Sequence, residues 1–252
     1  PLFRGNLRNA YMLALPIVGF WGLLQIPEGQ HFAIQVFDYT LNPVRVDKLS
    51  LIWGYIFHIA AAVSVIYAFH IRDTLQQMAA LIYSGAAIGG AFAGDLLSLF
   101  VYWEGTAIAS VFLIWATRTE AAYRAGMRYL IIQVGSGVLL LAGTIILLKQ
   151  TGSIAFGKME LKGIGPILIF LAFGIKAAFP LLHNWLQDAY PQATVTGTVF
   201  LSGFTTKLAI YALARGFPGT EMLIWIGATM TAFPIFYAVI ENDLRRVLAY
   251  SL

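Results

Sequence analysis

The sequence has no cysteine among its 252 residues. This absence excludes disulfide bridges, metal sites held by thiolates and iron–sulfur clusters held by cysteine. Four histidines remain, so the composition does not exclude a haem held by histidine. Charged residues are also scarce, at 11% of the chain, whereas apolar residues make up 59%. A soluble domain usually carries about 25% charged residues, so this composition is typical of an integral membrane protein.

Long apolar runs fill most of the chain, and short polar segments separate them. Each run is close to the ~20 residues that a helix needs to cross a hydrocarbon core. Backbone amides in lipid must be paired within their own segment, and no run alternates as a barrel strand does. The sequence therefore predicts an all-α, polytopic transmembrane helix bundle of about eight spans, at residues 10–26, 49–69, 77–94, 96–117, 129–148, 166–187, 193–215 and 222–240.

The basic residues of the loops predict an orientation in the membrane. With an even number of spans, both chain ends lie on one side, which then carries eight basic residues against six on the other. The densest group is Arg118, Arg124 and Arg128, which favours that side as cytoplasmic by the positive-inside rule. We therefore interpret the net charge of +4 as a sign of membrane topology and not of nucleic-acid binding.

We treat residues 1–252 as a single transmembrane domain. A new apolar run begins just before Leu252, where the sequence stops. We expect the natural protein to continue beyond this residue.

Three ionisable residues, Glu104, Lys176 and Lys207, lie inside predicted spans. A charge at the bilayer centre costs ~2.5–3.5 kcal/mol, so such residues usually face the bundle interior and have a function. At 1.5 Å per residue, Glu104 lies about 12 Å into its span, Lys176 about 15 Å and Lys207 about 21 Å. One acid and two bases in separate helices indicate a proton or ion path. The alternative is a structural ion pair, or lysines that extend to the interface.

A protonation switch has a simple physical basis in such a place. Burial disfavours the charged form of a carboxyl or an amine, and a neighbouring opposite charge restores it. A lysine whose carboxylate partner moves will therefore gain or lose a proton.

Pro180 follows Lys176 by one helical turn. In a helix the N–H of residue 180 would bond the carbonyl of residue 176, but proline has no N–H and its ring clashes there. We therefore predict a helix that is broken at the buried lysine, with an ordinary proline kink as the alternative. His183 would lie two turns along the same helical face, where it could relay protons or only bond a neighbouring helix. We interpret Asp188 as an interfacial residue.

Small and hydroxylated residues precede Lys207, in the run from Ser202 to Thr206. They allow close helix packing and hydrogen bonds between helices. Packing and function predict the same composition here, so the run leaves the role of Lys207 open.

Five motifs, in order within residues 43–252, resemble one protein family. The most specific, DLLSLFVYWEG at Asp95–Gly105, is similar to the DLL-x-LF-x-x-WE motif of the antiporter-like subunits. These subunits are shared by Mrp-type cation/proton antiporters and respiratory complex I. Arg45–Ser50 resembles the start of an early helix of the family, and Gly174–Ala189 resembles its lysine-bearing broken helix. Leu201–Arg215 resembles the helix that follows, and Asp243–Ser251 resembles a D-L-K-R-x-L-A-Y-S motif.

The resemblance implies a role for each candidate residue. Glu104 would modulate the charge of Lys176 as its ion-pair partner, and Lys176 would be the central proton carrier. Lys207 would lead toward the next half-channel, with His183 nearby in the path. Asp95, Pro180 and Asp188 would be accessory residues.

The resemblance also implies a fold and a function. The family has about fourteen helices in two inverted five-helix repeats, of which residues 75–215 would form the first and the second would lie beyond residue 252. We expect a multi-pass subunit of a Na⁺/proton antiporter in the inner (plasma) membrane, closest to the D-type Mrp subunit, and a transporter rather than an enzyme. Its partners would be other hydrophobic subunits, protons, Na⁺ and membrane lipid, with no cofactor, metal or nucleic acid.

One departure from the family and three alternative functions remain. Gln192–Gly197 replaces the family's usual APxxVS stretch. The chain could instead be a proton-pumping membrane subunit of an NADH:quinone oxidoreductase or related redox-driven complex, holding no cofactor itself. It could be a structural subunit that tolerates changes at Glu104 and Lys176, or a haem-bearing cytochrome that uses His58 and His183.

Overall fold

The computed structural model describes residues 5–37 and 39–252, which form mainly α helices. Each predicted apolar segment coincides with a helix, and the sixth coincides with two. One turn of 3₁₀ helix, Tyr190–Gln192, precedes the eighth helix. The helices are α1 Gly5–Leu23, α2 Lys48–Tyr67, α3 Thr74–Phe92, α4 Leu96–Trp115, α5 Glu120–Thr151, α6 Ile164–Lys176, α7 Asn184–Ala189, α8 Val195–Gly216, α9 Met222–Ile240 and α10 Leu244–Tyr250.

Five of the described helices are long and apolar enough to cross a bilayer, namely α2, α4, α5, α8 and α9. A sixth, α6, is apolar but has only 13 residues. The structure thus confirms a bundle of apolar helices, whereas the number of eight spans stays a prediction.

Helix α2 turns large apolar side chains outward and buries two serines. Its outward residues Ile52, Ile59 and Val63 are each more than half exposed, whereas Ser50 and Ser64 are buried. This arrangement is the reverse of a soluble protein and fits a bundle surrounded by lipid, where polar groups face the interior.

Side-chain caps fix where five of the longer helices begin. In each, an oxygen of the capping residue accepts a hydrogen bond from a backbone N–H of the first turn. Such caps contribute ~1 kcal/mol each. The cap at Thr119 starts α5 at Glu120 rather than at residue 129, because the helix continues through polar turns outside the apolar run. The capping residues are Asp47, Asp73, Asp95, Thr119 and Thr194.

The segment between α1 and α2 forms a feature that the sequence analysis did not predict. Two antiparallel ladders join β1 Gly29–His31 to β4 Val44–Val46 and β2 Ile34–Val36 to β3 Tyr39–Leu41. Both ladders have the same register, so they form one interrupted hairpin. Each strand has three residues, too few for a period-2 pattern to appear in the sequence.

The helix break at the buried lysine is confirmed. Helix α6 ends at Lys176, and α7 begins at Asn184. Between them the backbone of Ala178 and Leu181 adopts the left-handed region, with φ of 63° and 71°. The indole N–H of Trp185 donates to the Ile175 carbonyl at 2.9 Å, so part of the backbone at the broken end is paired by a side chain.

Helix α8 lies at the centre of the bundle and packs against α2, α3, α4 and α6. Its Phe204 ring contacts Phe57 of α2 and Tyr83 of α3, each at 5.5 Å between centroids. Helices α5 and α6 approach closely at Gly143. A Cβ added there would lie 2.7 Å from the Gly165 carbonyl oxygen, so the approach requires glycine. These contacts hold the helices that carry the candidate residues in fixed positions.

Candidate functional site

Lys176 is the last residue of α6 and is completely buried. Its amine donates to the Trp103 carbonyl at 2.7 Å and to the Thr106 hydroxyl at 2.9 Å, both on α4. It also lies 4.3 Å from the centroid of the Trp103 indole. The amine is therefore held by neutral acceptors and an aromatic face, a cation–π arrangement that contributes about 0.5–2 kcal/mol when the amine is charged.

Trp103, which lies in the DLLSLFVYWEG motif, is itself held by two helices. Its indole N–H donates to the Ser136 hydroxyl of α5 at 2.9 Å, and that hydroxyl donates to the Ala172 carbonyl of α6 at 2.9 Å. Trp103 and Ser136 are both completely buried. This network links the lysine-bearing helix to α4 and α5 and fixes the position of the lysine.

The ion pair that the resemblance implies is not present as a direct contact. Among the described residues no carboxylate oxygen lies within 4.0 Å of the Lys176 amine, because the amine is turned toward α4 backbone and Thr106. Glu104 still interacts electrostatically with Lys176. Its Oε1 is buried without a hydrogen bond from the described residues, and it lies against Gly137 of α5.

Gln133 is a polar residue at this site that the sequence analysis missed. It is completely buried, and neither its amide oxygen nor its amide nitrogen has a hydrogen-bond partner among the described residues. It lies one helical turn before Gly137, on the face of α5 that meets Glu104. Unpaired buried polar atoms are rare, so this part of the interior is suited to a mobile polar partner. An amide inside an apolar run was the only signal in the sequence.

Lys207 occupies α8 and is half-buried. Within residues 5–37 and 39–252 its amine has no hydrogen-bond or ion-pair partner. The structure therefore places the two lysines in different surroundings. Lys176 is enclosed and hydrogen-bonded, whereas Lys207 is half-buried and unpaired among the described residues.

The predicted geometry of His183 is wrong. Because the helix stops at Lys176, the two residues do not share one helical face, and His183 directly precedes α7. Its ring packs against Phe233 of α9 at 5.9 Å and lines a cavity of about 510 Å³ between α7, α9 and α10. A role for His183 in proton transfer stays a prediction.

The accessory residues have structural contacts. Asp95 caps α4 and accepts hydrogen bonds from the Ser98 N–H and hydroxyl and from the Asn42 N–H, each at 2.7 Å. Asp188 forms a two-fold hydrogen-bonded ion pair with Arg128 at 2.7 Å, in line with its expected interfacial place. Pro180 lies within the break after α6.

A second charged cluster lies at the end of the bundle opposite to Arg118 and Arg128. The sequence analysis did not predict the contacts within it. Arg215 of α8 donates to both carboxylate oxygens of Asp47, at 2.8 and 2.7 Å. Burial raises the pKa of the Asp47 carboxyl, but hydrogen bonds from Arg215 and the Ser50 N–H and the charges of Arg215 and Arg45 outweigh it. The pKa therefore falls to about 2. Both residues lie in family motifs of the sequence, but their distance along the chain hid the contact between them.

The described residues contain no group of three or more His, Asp or Glu side chains that could hold a metal ion. His58, the other histidine of the cytochrome alternative, bonds the Gly54 carbonyl of its own helix at 2.7 Å.

Comparison with known proteins supports one family. Residues 93–252 match the family described as NADH:quinone oxidoreductase/Mrp antiporter, TM. Hydrogenase-4 component B of Escherichia coli K12 is 26% identical over 85% of this chain and 36% of its own length. The D-type subunit of the Na⁺/H⁺ antiporter from Alkalihalophilus pseudofirmus is 31% identical over 66% of this chain and 38% of its own length.

The fold also matches a solved structure. A chain of the membrane-bound sulfane sulfur reductase, an archaeal respiratory membrane complex, superposes with a TM-score of 0.82 and 21% identity. The match covers 98% of this chain and 57% of that chain. At this level of identity the likeness shows the shared fold.

The apolar helices and the family match together define a membrane-embedded subunit. The chain belongs to the NADH:quinone oxidoreductase/Mrp antiporter family of membrane-embedded subunits, which confirms the resemblance seen in the sequence. It spans little more than a third of the length of these two relatives.

Proposed function

We propose that the chain is a proton-translocating subunit of a multisubunit Na⁺/H⁺ antiporter in the cell membrane. In this proposal Lys176 takes up and releases the transported proton. The charge of Glu104 shifts the equilibrium between the protonated and the deprotonated form of Lys176. The finer identity is supported by the 31% identity to the D-type subunit of an antiporter and by family membership.

The observation that carries the proposal is the completely buried Lys176 amine on neutral acceptors. A structural ion pair would place a carboxylate against the ammonium, since an uncompensated buried charge is costly. A carbonyl and a hydroxyl can instead accept hydrogen bonds from a charged ammonium and from a neutral amine. The site therefore suits a group that changes its protonation state.

Glu104 has the freedom that its proposed role needs. Its buried Oε1 has no hydrogen-bond partner among the described residues, and the carboxylate interacts with Lys176 through space. A small movement of this side chain toward or away from the lysine would change the charge that the amine experiences.

The test is proton transport by the full complex in everted membrane vesicles, driven by added Na⁺. We expect Lys176→Ala to abolish Na⁺-dependent proton movement while the complex assembles in normal amounts. Lys176→Met, which keeps the length of the side chain but carries no proton, should be equally inactive. The control is Lys162→Ala, because that lysine has a side chain that is 83% exposed in a loop and pairs with Glu160.

Normal transport by both Lys176 variants would refute the proposal and favour a structural subunit that cannot conduct protons. If Lys176→Ala alone fails to assemble, proton transport by Lys176→Met decides the test.

A second candidate is a proton-pumping subunit of a redox-driven complex. The observation that favours it is the match to hydrogenase-4 component B, which covers more of this chain than the match to the antiporter. In that case proton movement in the same vesicles should require an electron donor and not Na⁺. Lys176→Ala should abolish it as well.

A further inference from the structure

Three fully enclosed tyrosines meet around one threonine in the interior. Tyr83, Tyr129 and Tyr190 are each at most 1% exposed, and Thr205 of α8 is also 1% exposed. The Tyr83 hydroxyl lies 2.6 Å from the Thr205 hydroxyl and accepts the Thr205 N–H at 2.9 Å. Tyr129 and Tyr190 lie near the Thr205 side chain, and the Tyr190 hydroxyl donates to the Leu201 carbonyl of α8 at 3.0 Å. We name these four residues the tyrosine–threonine cluster.

The cluster connects to the lysine through α4. The Tyr129 hydroxyl is hydrogen-bonded to the Ser110 hydroxyl at 2.7 Å. Ser110 lies one helical turn from Thr106, which accepts a hydrogen bond from Lys176. Residues one turn apart are about 5–6 Å apart at Cβ, a gap that one water molecule can bridge. The hydroxyls of Tyr129, Ser110 and Thr106 therefore lie in order between the surroundings of Thr205 and the buried amine.

The position of the cluster gives this chain of hydroxyls a direction. Tyr190 belongs to the turn that precedes α8, at the end of the bundle that carries Arg118 and Arg128. Ser110 lies nearer that end of α4 than Thr106 does. The cluster thus lies between the arginine-bearing end and Lys176, and not on the side of Asp47.

Hydroxyls are suited to this position in a proton route. Each hydroxyl is both a donor and an acceptor, so it can pass a proton along a hydrogen-bonded chain without carrying a net charge between transfers. The cluster also has structural bonds, since the Tyr83 and Tyr190 hydroxyls donate to the Leu201 carbonyl at 3.3 and 3.0 Å. Here four hydroxyls and the unpaired amide of Gln133, one turn from Tyr129, gather in one completely buried region.

We infer that the tyrosine–threonine cluster, with Ser110 and Thr106, carries protons between the arginine-bearing end of the bundle and Lys176. The inference rests on the proposed function of Lys176 and adds the residues of the route. Among these residues the sequence singled out only Thr205, within the run from Ser202 to Thr206, where packing and function predict the same composition.

The test uses a pair of substitutions at Thr205 in the full complex, with Na⁺-driven or donor-driven proton transport as the readout. Thr205→Val keeps the shape of the side chain but removes the hydroxyl, and we expect transport to fall at least tenfold. Thr205→Ser keeps the hydroxyl, and we expect at least half of the wild-type rate. If Thr205 were needed only for the packing of its methyl group, Thr205→Ser would not restore transport.

A second pair covers the case in which Thr205→Val does not assemble. Tyr129→Phe removes one hydroxyl of the route, whereas Tyr123→Phe removes one from a ring on the same helix that is 51% exposed. We expect a loss of at least tenfold for the first and no change for the second, with equal amounts of assembled complex.

Two outcomes separate this inference from the proposed function. If Lys176→Ala is inactive while Thr205→Val and Tyr129→Phe transport at the wild-type rate, the route is wrong and the function of Lys176 stands. If Lys176→Ala transports normally, both are overturned.

Discussion

Glu104 and its neighbour Gly137 show how one residue can set the position of another. The Glu104 carboxylate occupies the space that any side chain at position 137 would fill. Glycine at this position is therefore required by the close approach of the carboxylate and not by an unusual backbone angle. The arrangement leaves Oε1 buried and unpaired among the described residues, which suits a carboxylate that moves.

We predict that Gly137→Ala displaces Glu104 and lowers proton transport severalfold. The added Cβ clashes only with the end of a flexible side chain that can turn away, and alanine favours the helix, so we expect the free energy of unfolding to change by less than about 1 kcal/mol. Transport in vesicles and thermal unfolding in detergent measure the two effects.

The control for this prediction is Gly135→Ala on the same helix, where an added Cβ meets no atom within 4 Å. It should leave transport unchanged and, by favouring the helix, should not lower stability. Equal behaviour of the two alanine variants would show that Glu104 does not depend on Gly137.

At the scale of elements, an ion pair joins the start of α2 to the end of α8. Asp47 caps α2 and at the same time accepts two hydrogen bonds from Arg215. The Arg215 side chain is 9% exposed and the Asp47 side chain 35%. The pair therefore holds together two helices that lie far apart in sequence, at the end of the bundle opposite to Arg118.

We predict that Asp47→Asn destabilises the protein by roughly 1–2 kcal/mol, because asparagine can still cap the helix but cannot pair with Arg215. This is below the roughly 3–5 kcal/mol typical of a fully buried pair, since solvent screens a carboxylate that is one third exposed. The measurement is thermal unfolding of the protein in detergent.

The same pair predicts an acid dependence. The pKa of Asp47 is lowered to about 2, so its contribution to stability is fully present above its ordinary value near 4 and is lost as the pH falls toward 2. Asp47→Asn should remove this part of the pH dependence.

The matched control is Asp73→Asn, because Asp73 also caps a helix but pairs with an arginine that is 77% exposed. Its effect should stay below about 0.5 kcal/mol, as for other surface pairs. A loss as large as that of Asp47→Asn would refute the special role of the Arg215 pair.

At the scale of the whole molecule, orientation in the membrane is still a prediction from charge. The chain has no cysteine, so single introduced cysteines report accessibility without background from this chain. Ala121 and Ser153 are exposed near opposite ends of α5. We predict that an impermeant maleimide labels Ser153→Cys in intact cells and labels Ala121→Cys only after permeabilisation. The reverse pattern would invert the orientation.

The sequence by itself determined the bundle of apolar helices, the break at Lys176 and the family. These follow from local causes: long apolar runs, a proline one turn after a lysine, and contiguous motifs. It also singled out Glu104, Lys176 and Lys207, because a charge in an apolar run is visible without any knowledge of contacts.

Only the tertiary structure decided what these residues touch. It turned the Lys176 amine toward Trp103 and Thr106, separated His183 from the helical face of the lysine, and gathered three tyrosines around Thr205. A membrane helix can contain tyrosine, threonine and glutamine either for packing or for proton transfer, and its composition is the same in both cases. Their role depends on which helices bring them together, and that is set by packing between residues far apart in the sequence.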